Sequence, residues 1–84
     1  KNVIEQHLSI YPNPVNDALT IVSGSYNNQI KNIVLLDLTG KLIATFEPTY
    51  QASQTLDLSA CKAGMYFLRI EGNDGQFTKK IIIE

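Results

Sequence analysis

Hydrophobic and polar residues alternate with a period of two along most of the chain, and no 11-residue window has the apolar stripe of an amphipathic helix. This pattern predicts an all-β fold in which any helix is a single turn. Seven short strands are predicted, near residues 7–11, 18–23, 30–37, 41–46, 53–58, 65–71 and 76–83. We therefore predict a seven-stranded antiparallel immunoglobulin-like β-sandwich, with a small closed barrel as the alternative fold.

The parity of the apolar residues within each strand predicts which side chains form the core. The expected set is Leu8, Ile10, Leu19, Ile21, Val34, Leu36, Leu42, Ala44, Leu56, Leu58, Tyr66, Leu68, Ile70, Phe77, Ile81 and Ile83. The third strand also has Ile33 and Leu35 on its other parity. That pattern indicates a strand that is covered on both faces or lies under a loop, and it makes the outside of the sheet a candidate for an apolar patch.

Two connections have the composition of hairpin turns. In the segment from Asp37 to Gly40, a side-chain acceptor precedes a glycine that tolerates positive φ, which favours a tight turn with a bulge. Gly72-Asn73-Asp74-Gly75 has the same chemistry. We expect antiparallel pairing of strands three and four and of strands six and seven, and a positive φ at Gly40 or Gly64.

Length and charge restrict the classes of protein to which the chain can belong. Its 84 residues accommodate one small core, so we predict a single domain over residues 1–84, with residues 1–7 as a linker end or the start of the first strand. A net charge of −1 argues against nucleic acid as a partner. No apolar stretch approaches the roughly 20 residues of a membrane span. The chain begins at Lys1 without a signal peptide, which is typical of a module taken from a larger protein.

The sequence offers no set of residues suited to catalysis. His7, the single histidine, lies at the start of the first predicted strand, and Cys61 has no partner for nucleophilic chemistry. The aspartates at or near strand ends or turns are suited to accept hydrogen bonds there; they are Asp17, Asp37, Asp57 and Asp74. Asn73 and Asp74 offer oxygen atoms of the kind that calcium binds, but without EF-hand spacing. We expect no enzymatic activity, no cofactor and no metal.

The aromatic residues raise an alternative function. Aromatic faces bind sugars in carbohydrate-binding and adhesion modules, and the chain has Tyr11, Tyr26, Tyr50, Tyr66, Phe46, Phe67 and Phe77. Core packing is the simpler explanation, because Tyr66 and Phe77 share the inward parity and the others are scattered. A structural spacer within a multidomain exoenzyme is a third possibility, since fold alone does not separate these functions.

Four motifs occur in a fixed order along the chain. Tyr11-Pro12-Asn13-Pro14 follows the first strand, where two prolines impose a stiff, extended corner. An Asp-x-x-Gly-Lys turn is formed by Asp37, Gly40 and Lys41, and a Gly-x-Tyr motif by Gly64 and Tyr66. The chain closes with Gly75 and a strand that contains Lys79 and Lys80. In this order the motifs resemble, over residues 8–84, the type A sorting domain of the type IX secretion system, or Por secretion tail. One departure is Lys62, where the family commonly has proline.

The resemblance implies the function of a C-terminal secretion and sorting signal in Gram-negative bacteria. Such a domain follows an N-terminal cargo domain in the same parent chain and directs it through the periplasm and across the outer membrane. Its partners are components of the type IX translocon and, in many members, a cell-surface sortase that removes the domain and attaches the cargo to the surface. The motif residues above are the expected sorting residues. We expect Lys79 to lie at the sheet rim with its stem on apolar surface, and the two lysines to form a docking element.

Overall fold

The fold is a sandwich of two antiparallel β-sheets, seen in a computed structural model that describes residues 7–73 and 75–84. The strands are β1 (Ser9–Tyr11), β2 (Ala18–Val22), β3 (Ile30–Asp37), β4 (Leu42–Phe46), β5 (Ser53–Asp57), β6 (Gly64–Gly72) and β7 (Gly75–Ile83). A 3-10 helix, Gly24–Gln29, connects β2 to β3. One sheet has the order β1-β2-β5 and the other β4-β3-β6-β7.

The predicted strands are confirmed, each boundary lying within two residues of its predicted position. Because the strands form two separate sheets, the fold is the predicted sandwich and not the closed barrel. Both hairpins are confirmed, because β3 pairs with β4 and β6 pairs with β7 in antiparallel register. The described residues contain no helix that is long and apolar enough to cross a membrane.

The core lies between the sheets and is built from the inward side chains of both. Its buried members are Val15, Leu19, Ile21, Tyr26, Ile30, Ile33, Leu35, Leu56, Leu58, Tyr66, Leu68, Ile70, Ile81 and Ile83. Leu8, Ile10, Ala44 and Phe77, which were predicted in the core, are partly buried and pack against it. Burial of these apolar side chains is the main favourable contribution to folding.

The predicted inward face of β3 is wrong. Ile33 and Leu35 are the residues that point between the sheets, and both are fully buried. Val34 is half-buried on the outer face, and Leu36 is buried on that same face between its cross-strand neighbours. Both parities of β3 are apolar, so its own pattern is ambiguous, and pairing of Leu35 with the inward Leu68 of β6 decides between them.

The predicted burial of Leu42 is also wrong. The register of β4 against β3 shifts between Leu35 and Leu36, which lie opposite Ala44 and Leu42 respectively, so Ile43 is an extra residue. This bulge reverses the parity and leaves Leu42 56% exposed on the outer face. The turn composition predicts a bulge in this hairpin, but it does not predict that the bulge turns Leu42 outward.

The two ends of the four-stranded sheet differ in what they hold. We call one end the distal end: it contains the turn from Asp37 to Lys41, the start of β6 and the end of β7. At the opposite, proximal end the ring of His7 stacks on Tyr26 of the 3-10 helix, with 4.7 Å between centroids. The described chain therefore enters the fold at the proximal end.

Candidate functional site

The Pro-Asn-Pro segment lies along the free edge of β7 at the distal end. Asn13 Nδ2 donates a hydrogen bond to the Lys80 carbonyl (3.0 Å), and Asn13 Oδ1 accepts one from the Ile82 amide (3.1 Å). Val15 N then donates to the Ile82 carbonyl (2.8 Å), and Glu84 N donates to the Val15 carbonyl (2.9 Å). We call the segment from Asn13 to Val15 the clasp, because these four bonds hold the end of the last strand.

The chemistry of the segment explains why a side chain makes half of these bonds. Pro12 and Pro14 have no backbone N–H and cannot continue a regular ladder of hydrogen bonds; the peptide bonds that precede them are both cis. The Asn13 amide carries one donor group and one acceptor, as a peptide group does, and replaces the missing pairing. Val15 is completely buried and anchors the clasp in the core.

The two prolines predict a stiff, extended corner, but they do not predict the role of Asn13 or Val15. A weak signal exists, because an asparagine between two prolines has its side-chain amide as its readiest means of pairing with a neighbouring strand. That signal does not indicate which strand is the partner.

The Asp-x-x-Gly-Lys motif forms a closed turn at the end of β3. Asp37 Oδ1 accepts hydrogen bonds from Thr39 N (2.8 Å), Thr39 Oγ1 (2.6 Å) and Lys41 N (2.9 Å). Hydrogen bonds from the Thr39 hydroxyl and the Lys41 amide hold the pKa of the Asp37 carboxyl below its usual value. Gly40 adopts φ +88°, as predicted. The motif therefore sets the geometry of the β3–β4 connection.

The Gly-x-Tyr motif begins β6 and ties the preceding loop to the core. Gly64 lies opposite Ile83 with φ +153°, so a positive φ occurs at both predicted glycines. The ring of Tyr66 is buried, and its hydroxyl donates a hydrogen bond to the Lys62 carbonyl (2.6 Å). Because the acceptor is a backbone carbonyl, lysine in place of the family's proline leaves this contact intact.

The two lysines of β7 point to opposite faces of the sheet. Lys79 is half-buried on the inward side opposite Leu68, which matches the expectation that its stem lies on apolar surface. Lys80 is exposed on the outer face opposite Phe67. Lys80 is therefore the lysine of the pair that the outer face presents, and the docking role of the two lysines stays a prediction.

The register of the sheet brings most of the predicted sorting residues to the distal end. Tyr66 lies opposite both Asp37 of β3 and Ile81 of β7, and the clasp borders β7 on its other side. Gly75 does not join them, because it pairs with Gly72 at the proximal end. Tyr11 ends β1, where it is exposed and pairs with Thr20 of the other sheet. Asp74, the suggested calcium ligand, lies outside the described residues.

The titratable residues of the described chain lack the arrangement of a metal site. No group of three or more His, Cys, Asp or Glu side chains within residues 7–73 and 75–84 is placed to hold a metal ion. Burial and the nearby Asp57 charge raise the pKa of the Cys61 thiol, which disfavours the nucleophilic thiolate. Hydrogen bonds from Ser59 lower the pKa of the Asp57 carboxyl, which acts as a turn acceptor.

Comparison with known protein families gives one match over nearly all of the described chain. The family described as "Secretion system C-terminal sorting domain" matches residues 9–84. The sequence has no significant match among curated proteins. Domains of this family mark proteins for export by the type IX secretion system across the outer membrane, to the cell surface or the medium. The chain belongs to the secretion system C-terminal sorting domains and is a sorting signal for type IX secretion.

Proposed function

We propose that the type IX machinery recognises the folded distal end of this domain, and not a linear stretch of sequence. The observation that supports this is the clasp. It joins Asn13 to Lys80 and Ile82, which are 67 and 69 positions away along the chain. The Tyr-Pro-Asn-Pro motif and the last strand therefore become neighbours only when the sandwich has formed. The sorting residues of the distal end are Tyr11, Pro12, Asn13, Pro14, Asp37, Gly40, Lys41, Gly64, Tyr66 and Lys80.

The domain acts without catalysis, as a ligand of the export machinery attached to a cargo domain in the same parent chain. Support comes from the single histidine, which stacks on Tyr26 far from the distal end. The raised pKa of Cys61 and the lowered pKa values of Asp37 and Asp57 are the opposite of what a nucleophile and a general acid require.

A cell-surface sortase removes the domain after export by cutting the chain before β1. A protease needs an extended, unpaired segment, and over the described residues 9–73 and 75–83 the chain is paired in strands or folded into the connections between them. Mass spectrometry of the fragment released from exporting cells should give an N-terminus at or before residue 8. A fragment that begins within the sandwich would contradict this assignment.

The carbohydrate-binding alternative receives less support. Stacking on a sugar requires exposed aromatic rings, and Tyr26 and Tyr66 are buried. Tyr11 is exposed, but its neighbour across the sheet is Thr20, and Tyr50 lies in the β4–β5 connection.

Export of a fusion tests whether the folded state is recognised. Residues 1–84 are placed after a periplasmic reporter in a host that has the type IX system, and surface delivery is measured. Leu35→Ala removes a buried side chain but leaves every sorting residue in place. Export of this variant should fall in proportion to the folded fraction of the domain, while Val34→Ala, the neighbouring control on the outer face, should be exported normally.

Two outcomes would count against the proposal. Normal export of a largely unfolded Leu35→Ala domain would show that a linear motif is sufficient. Failure of the unmodified fusion to leave the periplasm would contradict the sorting function of this particular chain.

A further inference from the structure

The outer face of the four-stranded sheet is apolar at the distal end, where a solvated sheet is normally polar. Register places Leu42, Leu36, Phe67 and Lys80 in one row across β4, β3, β6 and β7. The adjacent row holds Met65 and Ile82. We call these six residues the outer patch. Three of its side chains are well exposed: Leu42 by 56%, Met65 by 47% and Ile82 by 39%.

The outer face of the other sheet shows that this composition is not general to the domain. There the cross-strand rows combine Tyr11 with Thr20 and Thr55, and Ala18 with Asp57. Hydroxyl and carboxylate groups predominate on that face, as is usual for a surface in water. Contiguous apolar surface on a small soluble protein commonly marks an interaction site.

The outer patch contains one positive charge that has no partner within the described residues. The salt bridge found there joins Arg69 to Glu71 (3.9 Å), so the Arg69 charge next to the patch is already compensated. Lys80 lies beside Phe67 with its ammonium group exposed, and its backbone carbonyl is the part that the clasp uses. A partner surface that complements the outer patch therefore requires a carboxylate to pair with Lys80, placed among apolar side chains.

The patch lies at the opposite end of the four-stranded sheet from His7, the first described residue. His7 stacks on Tyr26 at the proximal end, whereas the patch lies at the distal end. Leu36 lies six positions after Ile30 in β3, which corresponds to about 20 Å along the strand. The point at which a preceding cargo domain joins the described fold is therefore at the opposite end of the sheet from the patch.

We propose that the outer patch is the docking surface for a protein of the export machinery, whose own surface presents apolar side chains and a carboxylate that pairs with Lys80. This proposal builds on the sorting function and assigns that function to one face of the domain. A second copy of the chain fits less well, because a self-complementary contact would have to supply an anion that the patch does not contain.

Paired variants in the reporter fusion test the apolar and the charged parts separately. Met65→Thr combined with Ile82→Thr removes apolar surface while keeping residues that favour strands. Its control is Tyr50→Asn, which removes an aromatic side chain of 61% exposure from the β4–β5 connection and tolerates the φ of +61° at that position. Loss of central apolar contacts should reduce surface delivery on the order of tenfold, and the control should leave it unchanged.

Charge variants complete the test. Lys80→Glu should block export, whereas Lys80→Arg keeps the charge and should be exported at close to the wild-type level. Lys31→Glu makes the same charge change at an exposed position of the proximal end and should have no effect. Urea unfolding of each purified domain shows whether a variant is folded, and only folded variants are compared.

Each remaining outcome distinguishes the proposal from its competitors. Wild-type export of folded Met65→Thr/Ile82→Thr and Lys80→Glu domains would overturn the proposal while leaving the sorting function intact. Sedimentation that shows a dimer dependent on Met65 and Ile82 would assign the patch to self-association and overturn it. Protection of Met65 from oxidation in the fusion, but not in the separate domain, would assign the patch to the cargo and also overturn it. If the unmodified fusion is not exported, the sorting function itself fails.

Discussion

Replacing Asn13 by alanine should weaken the attachment of the last strand. The substitution removes both side-chain hydrogen bonds of the clasp, to the Lys80 carbonyl and from the Ile82 amide. Each such bond contributes about 0.5–1.5 kcal/mol net, and the lower half of that range applies because Asn13 is exposed and water can replace its amide. We expect a total loss of about 1–2 kcal/mol, a substantial share of the roughly 5–15 kcal/mol that stabilises a domain.

Urea unfolding measures the loss directly. For a domain of this size the free energy of unfolding changes by about 1 kcal/mol per molar urea, so the midpoint should fall by roughly 1–2 M with an unchanged slope. Hydrogen exchange gives a local reading, since the Ile82 amide loses its acceptor and should exchange faster. Asn16→Ala is the matched control: Asn16 is exposed in the same connection, and its side chain makes no hydrogen bond within the described residues. Its effect should stay within about 0.5 kcal/mol.

Equal midpoints for Asn13→Ala and Asn16→Ala would refute the reasoning, because the clasp would then contribute nothing to stability. Asn13→Asp provides a second check. The carboxylate keeps an acceptor for the Ile82 amide but loses the donor and faces the Lys80 carbonyl oxygen. This variant should be destabilised at neutral pH, and wild-type stability would show that the donor half of the clasp is dispensable.

Further predictions concern the core and the turns. Leu35→Ala should lower the free energy of unfolding, measured in urea, by about 2–5 kcal/mol, and Val34→Ala should lower it clearly less. A larger loss for Val34→Ala would mean that Val34, and not Leu35, faces the core. Asp37 has a lowered pKa in the fold, so its ionised carboxylate stabilises the protein at pH values above the usual carboxyl pKa near 4. This stabilisation is lost as the pH falls through the lowered pKa. Asp37→Asn should therefore make the urea midpoint less sensitive to acid. Tyr66→Phe removes the hydrogen bond to the Lys62 carbonyl and should lower the free energy of unfolding by about 0.5–1.5 kcal/mol. Unchanged stability would mean that this hydrogen bond contributes nothing to the fold. Gly40→Ala should lower the free energy of unfolding by about 1 kcal/mol, because the φ of +88° disfavours a residue with a Cβ. Steric contact does not contribute, since no atom lies within 4 Å of the added Cβ. Unchanged stability would mean that the backbone of the turn relaxes.

Local chemistry made several features of this protein predictable from its sequence. Strand positions follow from period-two alternation, and turns follow from residues such as Asp37 and Gly40, whose effects extend over four or five positions. The inward parity of β6 was correct because Tyr66, Leu68 and Ile70 share one face, and the charged Arg69 and Glu71 lie on the other. The order and spacing of the motifs identified the family, which the match over residues 9–84 shows.

Tertiary structure decided the features that depend on distant partners. In β3 both parities are apolar, so only pairing with β6 places Leu35 inside the sandwich, and only the bulge opposite β3 turns Leu42 outward. The outer patch follows from these two events and was not defined by any single strand. The clasp is the clearest case: two prolines and an asparagine predict a corner, but nothing near Asn13 in the sequence specifies a strand 67 positions away. An edge strand offers the same backbone groups whatever its sequence, so its partner is chosen by how the two sheets pack.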